Sequence, residues 1–253
     1  MLSQFLVSQL FVFMLVFSRT GSAIMLLPGF GESYVTPRIR LILALLFSLI
    51  LSPIIQHMPQ VPSTTLMLMR YVISEVLIGL FIGAIGRILI ATVHVAGIVI
   101  AYQSSLSSAI TSGLNQYQGQ DTSVGNLMGM TAVLLIFATN MHHMMLRGLV
   151  DSYTLFLPGE LPPLQDVANL ATSTVSKVFA MGIQLAAPSI VIGLMLYLGA
   201  GILAKLMPNL QIFFLLMPPQ LLLVFFIFMF TISSIMLWYL DFFEHSFGSF
   251  LSP

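Results

Sequence analysis

The sequence predicts an all-α protein of membrane-inserted helical hairpins, with about six hydrophobic helical segments. Three observations predict it. Hydrophobic residues make up 58% of the chain and charged residues only 6%. A soluble domain carries about 25% charged residues, so this chain cannot cover a globule of its own size with polar surface. Mean hydropathy is +1.04. The apolar residues also come in runs as long as the roughly 20 residues a bilayer-spanning helix needs, separated by proline, glycine and polar clusters.

Run one extends from Phe5 to Leu27 and ends at Pro28-Gly29. It lacks a basic segment ahead of its apolar residues, and its first positive charge, Arg19, follows most of them. That order reads as a retained helix, not a cleaved signal peptide. Run two covers Ile39 to Ile55, before Pro59 and Pro62. Run three covers Leu66 to Tyr102 without a proline. As one helix it would be roughly 55 Å long, against a bilayer core of about 30 Å. It is therefore expected either to break near Gly79, Gly83 and Gly86 or to leave the bilayer. Run four covers Val124 to Val150. Run five starts near Val178, contains Pro188 and ends at Lys205. After Met207-Pro208-Asn209, run six covers Leu210 to Leu240 with Pro218-Pro219 inside it. These internal prolines remove backbone donors, so a kink or break is expected, packed against protein rather than lipid. The basic residues Arg38, Arg40 and Lys205, against Arg147 and Lys177, are too evenly divided to orient the chain.

Several function classes are disfavoured. Eight basic residues balance eight acidic ones, which leaves no basic footprint for nucleic acid. There is no cysteine, hence no disulfide, thiolate nucleophile or thiolate metal site. His142-His143, beside Met141 and Met144, lacks an acid or thiolate to complete a metal site. No nucleophile elbow, P-loop or zinc-protease motif appears, and no catalytic, cofactor or metal residue is assigned. Asp151, Glu160 and Asp166 read as acids that keep a proline-rich loop in water. The many methionines, Met128 and Met130 among them, read as conformable packing.

The candidates that remain are polar groups in apolar surroundings. Arg19, Glu75 and Arg87 lie within apolar runs, where an unpaired charge costs at least about 3 kcal/mol. They read as paired structural charges. A competing reading makes Glu75, Arg87 and His94 an ion relay of a six-span transporter or channel. The small residues Gly79, Gly83 and Gly86 allow close helix approach. The segment from Ser104 to Asn126 is rich in hydroxyl and amide side chains and carries one charge, Asp121. Irregular backbone at membrane depth requires a protein-lined cavity, so this segment is expected to line or plug a pore.

Three sets of residues resemble the FliR family, the flagellar member of the type III export apparatus. Ser18-Arg19-Thr20-Gly21, Leu27-Pro28-Gly29-Phe30-Gly31 and Val35-Thr36-Pro37-Arg38-Ile39-Arg40 resemble its start. The polar segment stands where the family has its central loop. Ala187-Pro188-Ser189-Ile190-Val191, Gly201-Ile202-Leu203-Ala204-Lys205 and Met207-Pro208-Asn209-Leu210-Gln211-Ile212-Phe213 resemble its C-terminal signature, where Pro188 and Pro208 are read as packing positions. One departure is Met217-Pro218-Pro219-Gln220, where the family often has a single proline followed by a basic residue.

The resemblance implies a structural, non-enzymatic subunit of a helical export gate in the bacterial inner membrane, at the flagellar basal body. Its partners would be FliP-like and FliQ-like subunits, an FlhB-like subunit, unfolded export substrates and membrane lipid, with no cofactor. Residues 1–175 would form a FliP-like part including the central loop at 104–126, and residues 176–253 a FliQ-like hairpin. The closed channel would be plugged by Leu106, Ser107, Ser108, Ala109, Ile110, Thr111, Ser112, Gly113, Leu114, Asn115, Gln116, Tyr117, Gln118, Gly119, Gln120, Asp121 and Thr122. The equivalent subunit of a virulence-type secretion system is the nearest alternative within this resemblance.

Overall fold

A computed structural model describes residues 2–55, 58–103, 123–207 and 212–251. These contain α1 (Leu2–Leu26), α2 (Pro37–Leu51), α3 (Thr65–Gln103), α4 (Ser123–Ala138), α5 (Met141–Leu155), α6 (Leu164–Leu206) and α7 (Ile212–Leu251), and among the described residues no strand. Among the described residues four helices are long and apolar enough to cross a membrane: α1, α3, α6 and α7. The α4–α5 pair, bent by 77°, would make a fifth. Helix α2 has 15 residues, about 22 Å of rise, which is short of a bilayer core.

Helix α3 is one unbroken helix of 39 residues. Its glycines do not interrupt it, because what they remove is side-chain bulk and the intrahelical donors remain. The fourth apolar run behaves differently. Asn140 adopts a left-handed conformation, φ 61°, and separates α4 from α5. Asparagine is among the few residues that tolerate this region. His142 stacks on Phe137 at 4.8 Å, and Phe137 meets Phe30 at 5.5 Å, so an aromatic stack lines the elbow.

Helix α6 begins at Leu164, directly after Pro162-Pro163, well ahead of the expected start near Val178. Its first turns are polar, so apolarity alone concealed them. Asp166 therefore sits in the first turn of a helix and not in a loop, and Lys205 sits in the last turn. Both positions complement the helix dipole. Asp151 likewise lies on α5. Pro188 and Pro218-Pro219 lie inside α6 and α7, and both helices continue across them.

The chain forms two compact units: residues 1–89, 136–175 and 243–253, and residues 90–135 and 176–242. In the first, α1 contributes Leu15, Val16 and Ala23 and α3 contributes Ile78, Ile82 and Leu89, all fully buried. Val16, Leu51 and Tyr153 form a cluster with Phe47 and Val150 against it. The Thr20 and Ser48 hydroxyls join α1 to α2 at 2.5 Å. In the second unit, Gly97 of α3 meets Gly125 of α4 backbone to backbone, and Gly182 of α6 lies on Val95.

Candidate functional site

The most demanding group in the first unit is Arg19, a fully buried guanidinium on α1. Its Nε is 2.6 Å from Glu75 Oε2, and its Nη2 donates to Glu75 Oε1 at 3.1 Å. Two parallel bonds of this kind match the arginine fork to a carboxylate. Nη1 donates to the Ser152 carbonyl at 3.0 Å, and Nη2 to the Phe156 carbonyl at 3.1 Å. Those carbonyls end α5, where the helix dipole places partial negative charge. The guanidinium also lies 4.0 Å over the Tyr153 ring, a favourable cation–π arrangement.

Glu75 is equally buried and equally satisfied. Its Oε1 accepts a third bond, from the Gly159 amide at 2.9 Å. Gly159 has φ 84°, and a Cβ there would strike Tyr71, so the position suits glycine. The ion pair thus joins α1, α3, the end of α5 and the turn at Gly159. Every donor to the carboxylate is a guanidinium N–H or a backbone amide. The arrangement is a clamp.

Arg87 is placed elsewhere. It is half-exposed and pairs with Glu32 at 2.7 Å, in the segment between α1 and α2. His94 lies against Gly129, with Nδ1 3.4 Å from the Ile90 carbonyl. Glu75, Arg87 and His94 are each engaged with their own neighbours.

The glycine ridge of α3 faces α1. A Cβ at Gly79 would collide with the Arg19 carbonyl and the Ser22 hydroxyl, one at Gly83 with Leu26 and the Ala23 carbonyl, and one at Gly86 with Pro28. The close approach brings the two backbones together at the level of the ion pair. Pro188 lines an open apolar groove with Val191 and Trp238. Pro208 and the residues from Leu106 to Thr122 lie outside the described residues.

Sequence reasoning missed a second polar node, in the second unit. Gln220 is nearly buried, and its amide nitrogen donates to the Gln103 carbonyl at 2.6 Å and to the Tyr197 hydroxyl at 3.3 Å. In the sequence it stands where the resembling family often has a basic residue. An amide in the middle of an apolar run was the available clue, since a buried polar group needs a partner. The Ser152, Phe156 and Gly159 partners of the clamp left no comparable trace, because three of their four contacts use main-chain atoms.

The fold and its apolar helices define an α-helical, multi-pass membrane protein. Residues 10–246 match the family described as bacterial export proteins, family 1. The chain is 40% identical over 211 residues to the flagellar biosynthetic protein FliR of Caulobacter vibrioides, spanning 83% of this chain and 84% of that protein. It is 31% identical over 188 residues to the protein of the same name from Escherichia coli K12, spanning 74% and 70%. With that of Bacillus subtilis 168 it shares 26% over 211 residues, spanning 81% and 80%. The chain therefore belongs to the bacterial export proteins, family 1, the FliR family of flagellar export-gate subunits. It is a multi-pass protein of the bacterial inner membrane.

Proposed function

We propose that this chain is the gating subunit of the flagellar type III export gate, conducting unfolded flagellar subunits across the inner membrane. In this reading the residues from Leu106 to Thr122 plug the closed channel. The partners are FliP-like and FliQ-like subunits in a helical complex, with an FlhB-like subunit outside it. Residues 1–175 act as the FliP-like part and residues 176–253 as the FliQ-like hairpin. No bond chemistry is involved. The plug blocks by sterics and weak hydrogen bonds, each worth about 0.5–1.5 kcal/mol net, so that substrate can displace it.

The observation that carries this reading is the family match over residues 10–246, which includes the whole polar segment. The uneven covering of the helices supports the partner arrangement. Only 17% of the most apolar stretch of α7 and 28% of that of α6 is buried, against 56% for α3. Apolar helices left this bare need lipid or other chains around them.

The test is deletion of residues 106–122 in cells carrying all the gate components. Membranes should become permeable to ions and small solutes while the complex still assembles. Unchanged permeability in a normally assembled complex would show that the segment is not the plug.

A further inference from the structure

Gln220 stands in an apolar stretch of α7 directly after Pro218-Pro219 and is 6% exposed. Two adjacent prolines leave two consecutive intrahelical donors missing, so this turn of α7 is held by fewer hydrogen bonds than an unbroken one. The main-chain carbonyl that Gln220 holds belongs to Gln103, the last residue of α3. It is one of the four carbonyls that a helix end leaves without an intrahelical donor. A side-chain donor from another helix satisfies it. The Gln103 side chain is itself seated on Gly193 of α6, where a Cβ would collide with its amide.

The start of α4 is held from the same direction. Gly125 meets Gly97 at backbone distance, and Val124 and Ile100 share a small cavity with Val224 and Phe225 of α7. All of these residues lie within the second unit. Gln220 of α7 therefore makes the directional bond to the end of α3, and Val224 and Phe225, the next turn of α7, lie beside Ile100 and Val124 near the two chain ends that flank residues 104–122. An aliphatic side chain at 220 would fill the same space but would leave the Gln103 carbonyl without its donor.

We propose that Gln220 is a positioning residue of the gate. With Tyr197 and Gly193 it fixes the C-terminal end of α3, and a shift at the Pro218-Pro219 turn of α7 withdraws that anchor when the channel opens. The proposal rests on the plug reading above.

The experiment compares closed-state permeability of the fully assembled complex in membranes, read as small-solute and ion flux without export substrate. Gln220→Met keeps length and removes the donor. It should raise the leak by about 2- to 10-fold, the population shift expected for one lost hydrogen bond, with the complex at its normal amount. Gln220→Lys, which retains an N–H donor, should leak less than Gln220→Met. In a background lacking residues 106–122, Gln220→Met should add nothing further, because the element it positions is gone. A purely structural role would not produce that non-additivity. A normal leak from an assembled Gln220→Met complex overturns the proposal, and so does a full additional leak on top of the deletion. If Gln220→Met prevents assembly, Tyr197→Phe decides: it removes one partner of the amide at a half-exposed site. A leak of about 2-fold then supports the anchor, and no leak overturns it. If the deletion itself fails to leak, the plug reading is what fails; a leaking deletion beside a tight Gln220→Met complex rejects Gln220 alone.

Discussion

At the scale of single residues, the clamp between Arg19 and Glu75 is an ion pair with both side chains fully buried. Two charges removed from solvent are tolerable only because the fork geometry, the Ser152 and Phe156 carbonyls, the Gly159 amide and the Tyr153 ring together replace water. Removing one partner strands the other. Arg19→Met or Glu75→Leu alone should cost about 3–5 kcal/mol, seen as a fall in thermal stability and yield of the solubilised complex. The double variant Arg19→Met/Glu75→Leu should recover most of that loss, because no charge is left buried without a partner. A double variant as damaged as the sum of the singles would mean that the pair has a role beyond mutual neutralisation. Arg87 with Glu32 is the contrasting case. The pair is 47% and 21% exposed, so solvent screens it, and Arg87→Ala should cost less than about 1 kcal/mol in the same measurement. Both arginines interrupt apolar runs and look alike in one dimension; burial separates them.

At the scale of elements, the ridge of Gly79, Gly83 and Gly86 sets how closely α3 approaches α1. Gly79→Ala would drive a methyl group into the Arg19 carbonyl, a backbone atom that cannot swing aside. A loss of about 1–3 kcal/mol in the stability of the complex is expected. Gly248→Ala on α7 meets nothing within 4 Å and should be neutral or stabilising by up to about 1 kcal/mol. Equal effects at the two sites would mean that the packing against α1 is not what the glycine serves. The order of the apolar runs follows from composition and spacing, which are local properties; the same properties left run three open between one long helix and a pair broken at its glycines, and the structure has the single helix. The partner of the ridge does not follow from them, and neither does the pairing of Arg19 with Glu75, which lie 56 residues apart. The elbow at Asn140 was hidden because apolarity continues on both sides of it, and only a backbone angle marks the turn. The start of α6 was hidden for the opposite reason: its first turns are polar yet helical. Gln220 was visible as an anomaly, but its partner is a carbonyl, which side-chain patterns never reveal.

At the scale of the whole molecule, the question is what covers the apolar faces of α6 and α7. Leu198 and Ile202 on α6, and Leu222, Phe226 and Phe230 on α7, are all more than half exposed. Lipid would cover them without requiring any particular pattern. An assembly would do so with specific contacts, and the proposed gate demands that. The absence of cysteine makes the choice measurable, since a single introduced thiol has no competitor in this chain. Leu198→Cys and Phe226→Cys should each form a short-range cross-link to a neighbouring gate subunit when the complex is assembled in membranes. Neither should react readily with a lipid-soluble maleimide until the complex is dissociated. In the chain expressed alone both thiols should label, and the chain should be degraded faster than in the complex, because faces shaped for protein are then left to lipid. Free labelling of both thiols in the intact complex, without cross-links, would assign these faces to lipid. The partners would then have to be held by other surfaces, and the exposure of α6 and α7 would reflect the bilayer alone.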